Sequence, residues 1–220
     1  MLVAAGLAAC GDDVDPSTFP DGATLISESA TAMAALQTVR FEVTLDPPIG
    51  DVPLAKADVT LTDKGESAGD VQVVMGGQLV GVSIVVTADG TSYLKFPGTN
   101  WAQANLLADV YDTTAILDPE RGVAKLLSTA TSAQTTGSEK ANGIDSWKVE
   151  VHLSTEVVER LVPAQMPDEG ITGTVWIDKS SKRLVKATIS APATEASEAS
   201  EIVFSLSDFD KPADISAPTN

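Results

Sequence analysis

Residues 67–96 read SAGDVQVVMGGQLVGVSIVVTADGTSYLKF, and their alternation decides the fold. Val71, Val73 and Met75 fall every second residue. After Gly76-Gly77 the same period returns in Val80, Val82, Ile84 and Val86, interleaved with Gly81, Ser83 and Val85. A period of two puts alternate side chains on opposite faces of a strand. Gly76-Gly77 and Asp89-Gly90 are dipeptides that accept positive φ, so they predict tight hairpin turns. The stretch therefore predicts consecutive antiparallel strands with one dry face and one wet face.

The pattern extends in both directions. Upstream, Phe41, Val43 and Leu45 alternate with Glu42 and Thr44, and Val59 and Leu61 alternate with Asp58, Thr60 and Thr62. Downstream, Trp147, Val149, Val151 and Leu153 alternate with Ser146, Lys148, Glu150 and His152, behind an Asn142-Gly143 turn. Val175 and Ile177, then Val185, Ala187 and Ile189, then Ile202, Phe204 and Leu206 complete the set. Three helices are predicted between strands. Residues 23–38 carry Leu25, Ile26, Ala30, Met33 and Leu36 on one stripe. A second helix is expected to open at Asp118-Pro119-Glu120, with Asp118 as cap and Pro119 in the first position. Its stripe is Val123, Leu126, Leu127 and Ala130. A third begins at Ser154, carries Val157, Val158, Leu161 and Val162, and stops near Pro163. A further short helical stretch is expected within residues 105–117. The fold class is α+β: a curved, mostly antiparallel sheet with a layer of helices on one side.

Composition narrows the function. The 220 residues hold 14 Lys and Arg against 31 Asp and Glu, for a formal charge of −17. That balance excludes a nucleic-acid partner, whose phosphates select basic surfaces, and a polybasic grip on anionic lipid headgroups. Aromatic residues are 5% of the chain, so few large rings fill the space between the layers. The single histidine, His152, falls in phase with Lys148 and Glu150 and is expected to face solvent. With one His and one Cys there is no set for a transition-metal site. No phosphate-binding glycine loop or nucleophile–base constellation appears, so neither an enzyme nor a cofactor is expected. Asp12-Asp13 and the Asp208-Phe209-Asp210 triplet are acidic pairs expected in solvated ends.

The one cysteine, Cys10, sits between an apolar run, Leu2 to Ala9, and the polar, proline-containing stretch GDDVDPSTFP. A disulfide within the chain is excluded, since there is no second Cys. Leu7-Ala8-Ala9-Cys10 resembles a lipobox, the signal at which a bacterial lipoprotein is cleaved and its thiol loaded with diacylglycerol. Residues 1–9 contain neither Lys nor Arg, so the true start of such a signal is expected upstream. Domain organisation follows: 1–10 the end of a signal peptide, 11–21 a tether, 22–210 the folded domain, and 211–220 a flexible tail, with fraying from about residue 207. The plasma membrane is thus expected as a partner through Cys10, on its outer face. Two or more acyl chains anchor stably, and no later apolar stretch approaches the roughly 20 residues of a bilayer span.

Several stretches, taken in order and spacing, resemble the mycobacterial LppX/LprG/LprA/LprF lipoprotein family. They are ATAMAALQTVRFEVTL (30–45), the hairpin pair 67–96, NWAQANLLADVYDTTAILDPERGVAKLLS (100–128), GIDSWKVEVHLS (143–154) and TGTVWIDKSSKRLVKATIS (172–190). The likeness covers about residues 22–210. It departs at Tyr111-Asp112-Thr113, where related chains tend to carry Tyr-Asp-Pro. The resemblance implies a half-barrel sheet of the LolA/LolB kind, helices on its concave face, and an apolar cavity between the layers. It implies a cell-envelope protein of an actinobacterium that binds the acyl chains of a multi-acyl lipid or glycolipid and carries or presents them. In some relatives it implies a link to a major-facilitator exporter. The pocket candidates are Met33, Val71, Val73, Val80, Val82, Ile84, Leu126 and Leu127, of which Val71 matches a pocket-wall position in relatives. The alternative is the same fold with a collapsed core, acting as an interaction module that docks an exporter or envelope protein.

Overall fold

The computed structural model describes residues 18–48, 54–104, 113–162, 171–193 and 199–219. Cys10, most of the tether and residues 105–112, with Tyr111 and Asp112, lie outside the described residues. Helix α1 (Gly22–Ala34) precedes strands β1 (Thr38–Asp46), β2 (Leu54–Thr62), β3 (Ser67–Met75), β4 (Gln78–Val86), β5 (Ser92–Lys95) and β6 (Ala102–Gln103). A short 3-10 turn, Thr113–Ala115, leads to helix α2 (Val123–Ser128) and strands β7 (Thr131–Ala141) and β8 (Ile144–Leu153). Helix α3 (Thr155–Leu161) then precedes β9 (Ile171–Asp178), β10 (Leu184–Ala191) and β11 (Ser200–Ser207).

These strands form one 11-stranded sheet in the order β6-β5-β4-β3-β2-β1-β11-β10-β9-β8-β7. Every pairing is antiparallel. Two meanders, β1–β6 and β7–β11, are joined where β1 pairs with β11. The predicted turns at Gly76-Gly77, Asp89-Gly90 and Asn142-Gly143 all join neighbouring strands. Gly76 and Gly77 take φ of +58° and +78°, the left-handed pair that suits the twist of a two-residue hairpin.

Registers carry the interior face across the sheet in rows. One row runs Val149–Val175–Ala187–Phe204–Val43–Ala57–Val71–Val82 through seven pairings. The next holds Leu206–Phe41–Val59–Gly69–Ile84–Leu94. Burying this face is the main favourable contribution to folding, at about 25 cal/mol per Å² of apolar surface. The helices close over it: Leu25, Ile26 and Met33 of α1, Leu126 and Leu127 of α2, and Val157, Val158 and Leu161 of α3 share one apolar cluster with the sheet.

Three sequence expectations need correction. Helix α1 ends at Ala34 rather than at residue 38, because Thr38 already pairs with Thr62 at the start of β1. The second helix begins at Val123, not at Asp118. Asp118 caps a tight turn instead: its carboxylate accepts from the Glu120 amide (2.8 Å) and Arg121 Nε (2.8 Å). The segment 207–211 is docked rather than frayed. Asp210 accepts from the Gln37 amide (3.0 Å) and pairs with Arg183, Thr38 Oγ1 donates to the Lys211 carbonyl (2.6 Å), and Phe209 packs against buried apolar residues. His152 is exposed, in the predicted phase.

Candidate functional site: the interior face of the β3–β4 hairpin

Strands β3 and β4 present their inward residues as matched pairs. Val71 lies opposite Val82, and Val73 opposite Val80. Ile84 lies opposite Gly69, so the side-chain layer is one residue thin there. All eight candidates fall in or against the one cluster: Met33, Val71, Val82, Ile84, Leu126 and Leu127 within it, Val73 and Val80 at its border. The helical three are almost wholly enclosed.

Along the hairpin, exposure is graded. Ile84 is 2% exposed, Val82 4% and Val71 9%, while Val73 and Val80 are half-buried. At the hairpin's end Met75 reaches 50% on this face, and Leu79, on the outer face, 63%. No residue from Val71 to Val86 carries charge. An aliphatic strip thus runs from the enclosed interior to the surface at the hairpin's end. Inward of Gln78 it offers an alkyl chain dispersion contacts and no polar side chain to desolvate.

Two features of this site escaped sequence reasoning. Gly69 sits where a Cβ would come within 2.1 Å of the Asp58 carbonyl oxygen, so β2 and β3 approach too closely for any side chain. A glycine inside a strand pattern was the available signal. The second is the placement of the aromatic rings. Phe41 and Phe204 meet at 5.6 Å between centroids in the middle of the sheet, on β1 and β11. Bulk therefore fills the centre, and the inner face of β3–β4 is left to aliphatic side chains.

Polar clefts lie elsewhere. One of about 530 Å³ is lined by Gln134, Glu150, His152, Thr172, Thr174 and Thr188, among others, on the solvent side of β7–β10. Another of about 770 Å³ lies between the end of α1 and the Asp118–Arg121 turn. The outer face also carries the paired groups. Arg40 donates to both oxygens of Asp58, at 2.8 and 2.6 Å, which holds that carboxyl below its ordinary range. Trp176 lies between Lys148 and Lys186, and its indole N–H donates to Glu139 (2.6 Å). Among the described residues no group of three or more His, Cys, Asp or Glu could hold a metal, and no helix is long and apolar enough to cross a membrane.

An open, curved antiparallel sheet whose helices share an aliphatic interior with one of its faces defines the class: a half-barrel α+β fold. Residues 21–215 match the LppX_LprAFG lipoprotein family, and the chain belongs to that family. It is 30% identical over 220 residues to the lipoarabinomannan carrier protein LprG of Mycolicibacterium smegmatis, covering 98% of this chain and 91% of the relative. The LprG of Mycolicibacterium hassiacum is 29% identical over 99% of this chain and 94% of its own length. Among solved structures, LprF from Mycobacterium bovis superposes with a TM-score of 0.76 at 21% identity, covering 90% of this chain and 97% of that one. LppX from Mycobacterium tuberculosis superposes with a TM-score of 0.63 at 22% identity, covering 92% and 100%.

Proposed function

We propose that this protein is a lipid-anchored carrier that holds the acyl chains of an envelope lipid or glycolipid against the inner face of β3–β4. The observation that carries this reading is the uncharged aliphatic strip graded from enclosed to exposed, whose enclosed end belongs to the same apolar cluster as Met33, Leu126 and Leu127. The name of the LprG relatives, lipoarabinomannan carriers, supports the ligand class. Cys10 is the attachment point for the anchor, and the outer face of the plasma membrane is the site of work. An exporter of the major-facilitator type is a candidate partner.

The physics of the task is transfer without reaction. Moving an acyl chain of about fifteen methylenes through water costs roughly 12 kcal/mol, at about 0.8 kcal/mol per CH₂. A cavity between helices and sheet removes most of that exposure. No bond is made or broken, so the work needs neither a nucleophile nor a metal. Chain length and number would be selected by cavity volume, as in other apolar pockets.

The test is native mass spectrometry on protein beginning at Gly11, expressed in an actinobacterial host and purified without detergent. A discrete added mass equal to a multi-acyl lipid is expected. Val82→Trp should abolish that mass while the circular dichroism spectrum stays that of the parent. Bare protein mass, persisting after incubation with envelope lipid extract, would replace the carrier by the interaction module.

A further inference from the structure

We infer that the end of the β3–β4 hairpin is a bilayer-contacting tip, with Met75, Leu79 and Val74 entering the outer layer of a membrane. The carrier reading gives this contact its purpose, since a lipid must enter and leave somewhere, but the observations are separate from it. Met75 and Leu79 are two of the three large hydrophobic residues exposed among the described residues. The third, Phe96 (37%), follows directly on Lys95, which pairs with Ser83 of the same hairpin. All three therefore lie on one corner of the sheet, Phe96 next to the Ser83 level and Met75 and Leu79 at the tip.

The geometry selects a bilayer over a flat protein surface. β5 pairs with β4 only along Ser83–Val86, and β2 pairs with β3 only as far as Val73. Among the described residues, the pairs Val74/Leu79 and Met75/Gln78 thus extend past the ladders with both neighbouring strands. At this end the hairpin carries apolar side chains on both faces, Val74 and Leu79 on the outer one and Met75, Val73 and Val80 on the inner one, with the uncharged Gln78 opposite Met75. A partner protein would cover one face, whereas a lipid layer surrounds the tip. The nearest charges are Lys56 of β2, level with Gln72, and then Asp70, which accepts from Ser83 Oγ (2.7 Å). From the Lys56 level to the turn is roughly 10 Å at about 3.3 Å per residue, and from Asp70 roughly 16 Å. The shorter length already reaches the roughly 5–10 Å depth typical of interfacial elements. Level with Ser83, Lys95 lies 5.9 Å from the Trp101 ring centroid. Tryptophan and lysine are the side chains that favour the membrane–water boundary. With a net charge of −17 the chain is repelled by anionic lipid, so the grip must be apolar.

The full chain carrying Cys10→Ser, which removes acylation, is labelled at Gln78→Cys with an environment-sensitive fluorophore. Phosphatidylcholine vesicles are then added. A blue shift is expected at position 78, with no shift for a label at Ser181→Cys on the opposite end of the sheet. Met75→Asp/Leu79→Asp should abolish the shift and slow transfer of a fluorescent alkyl-chain probe to vesicles at least tenfold. Replacing a third of the lipid with phosphatidylglycerol should weaken the shift at low salt, and added salt should restore it. An unchanged spectrum at position 78, an equal shift in the double variant, or a shift that follows protein concentration without vesicles would each overturn the proposal. The last outcome would assign the tip to a second copy of the chain. Failure of the parent to bind the probe in solution, with the vesicle shift intact, would instead overturn the carrier reading and leave the membrane contact standing.

Discussion

Two small residues set limits on this fold. Gly69 admits no Cβ, because the Asp58 carbonyl oxygen and Val59 Cα occupy the space at 2.1 and 2.7 Å. Backbone cannot give way as a flexible side chain can. Gly69→Ala is therefore expected to destabilise by more than about 2 kcal/mol, seen as a lowered urea midpoint. Ser29, on the buried face of α1, is wholly enclosed, and its hydroxyl has no hydrogen-bond partner among the described residues. A buried unpaired hydroxyl costs about 1–3 kcal/mol. Ser29→Ala should accordingly stabilise by roughly 1 kcal/mol, seen as a raised urea midpoint in protein stripped of lipid. The inward alternation around both positions is plain in the sequence. What the residues touch across the sheet is not, since register and curvature decide it.

The elements show where local signals suffice and where they compete. Glycine dipeptides placed the hairpins, because a two-residue turn needs positive φ that few other residues supply. Asp118-Pro119-Glu120 has a helix-start composition, yet it forms a turn. The Gly122 amide returns to the Asp118 carbonyl (2.8 Å) and the Val123 amide to Ile116 (3.0 Å), which delays α2 to Val123. Asp21 does act as a cap: its Oδ1 accepts from both the amide and the hydroxyl of Thr24 (2.8 Å each). Asp21→Ala should cost about 1 kcal/mol and increase amide exchange in the first turn of α1. The candidate valines were legible as one face of a hairpin. The gradient in their exposure was not, because it depends on how far β2 and β5 extend beside them.

At the scale of the molecule, charge governs the response to acid. Hydrogen bonds from Arg40 hold the Asp58 carboxyl low, those from Arg121 do so for Asp118, and those from Thr87 for Asp89. Burial pushes Asp178 up, but bonds from Ser181 and Ser180 outweigh it and leave that carboxyl low as well. Each folded value lies below the unfolded value of about 3.9. Their stabilising contribution is therefore complete above about pH 5 and is lost as pH falls through the depressed folded values. Urea midpoints should stay level from pH 7 to 5 and drop below about pH 4, with Asp58→Asn shallowing the drop. Solubility should be lowest near the isoelectric point of about 4.2, where self-repulsion vanishes.

The join between β1 and β11 has a kinetic consequence. Among the described residues the first strand closes onto the last, so the ladder uniting the two meanders is also the one with the greatest sequence separation. Loop closure of that length makes it a slow step and a late one. Until β11 is available, β1 and β10 each present an unpaired backbone edge in the middle of the future sheet, the kind of edge that recruits strands from other molecules. A chaperone acting on this protein would have one vulnerable interval to cover, from emergence of β1 to arrival of residues 200–207.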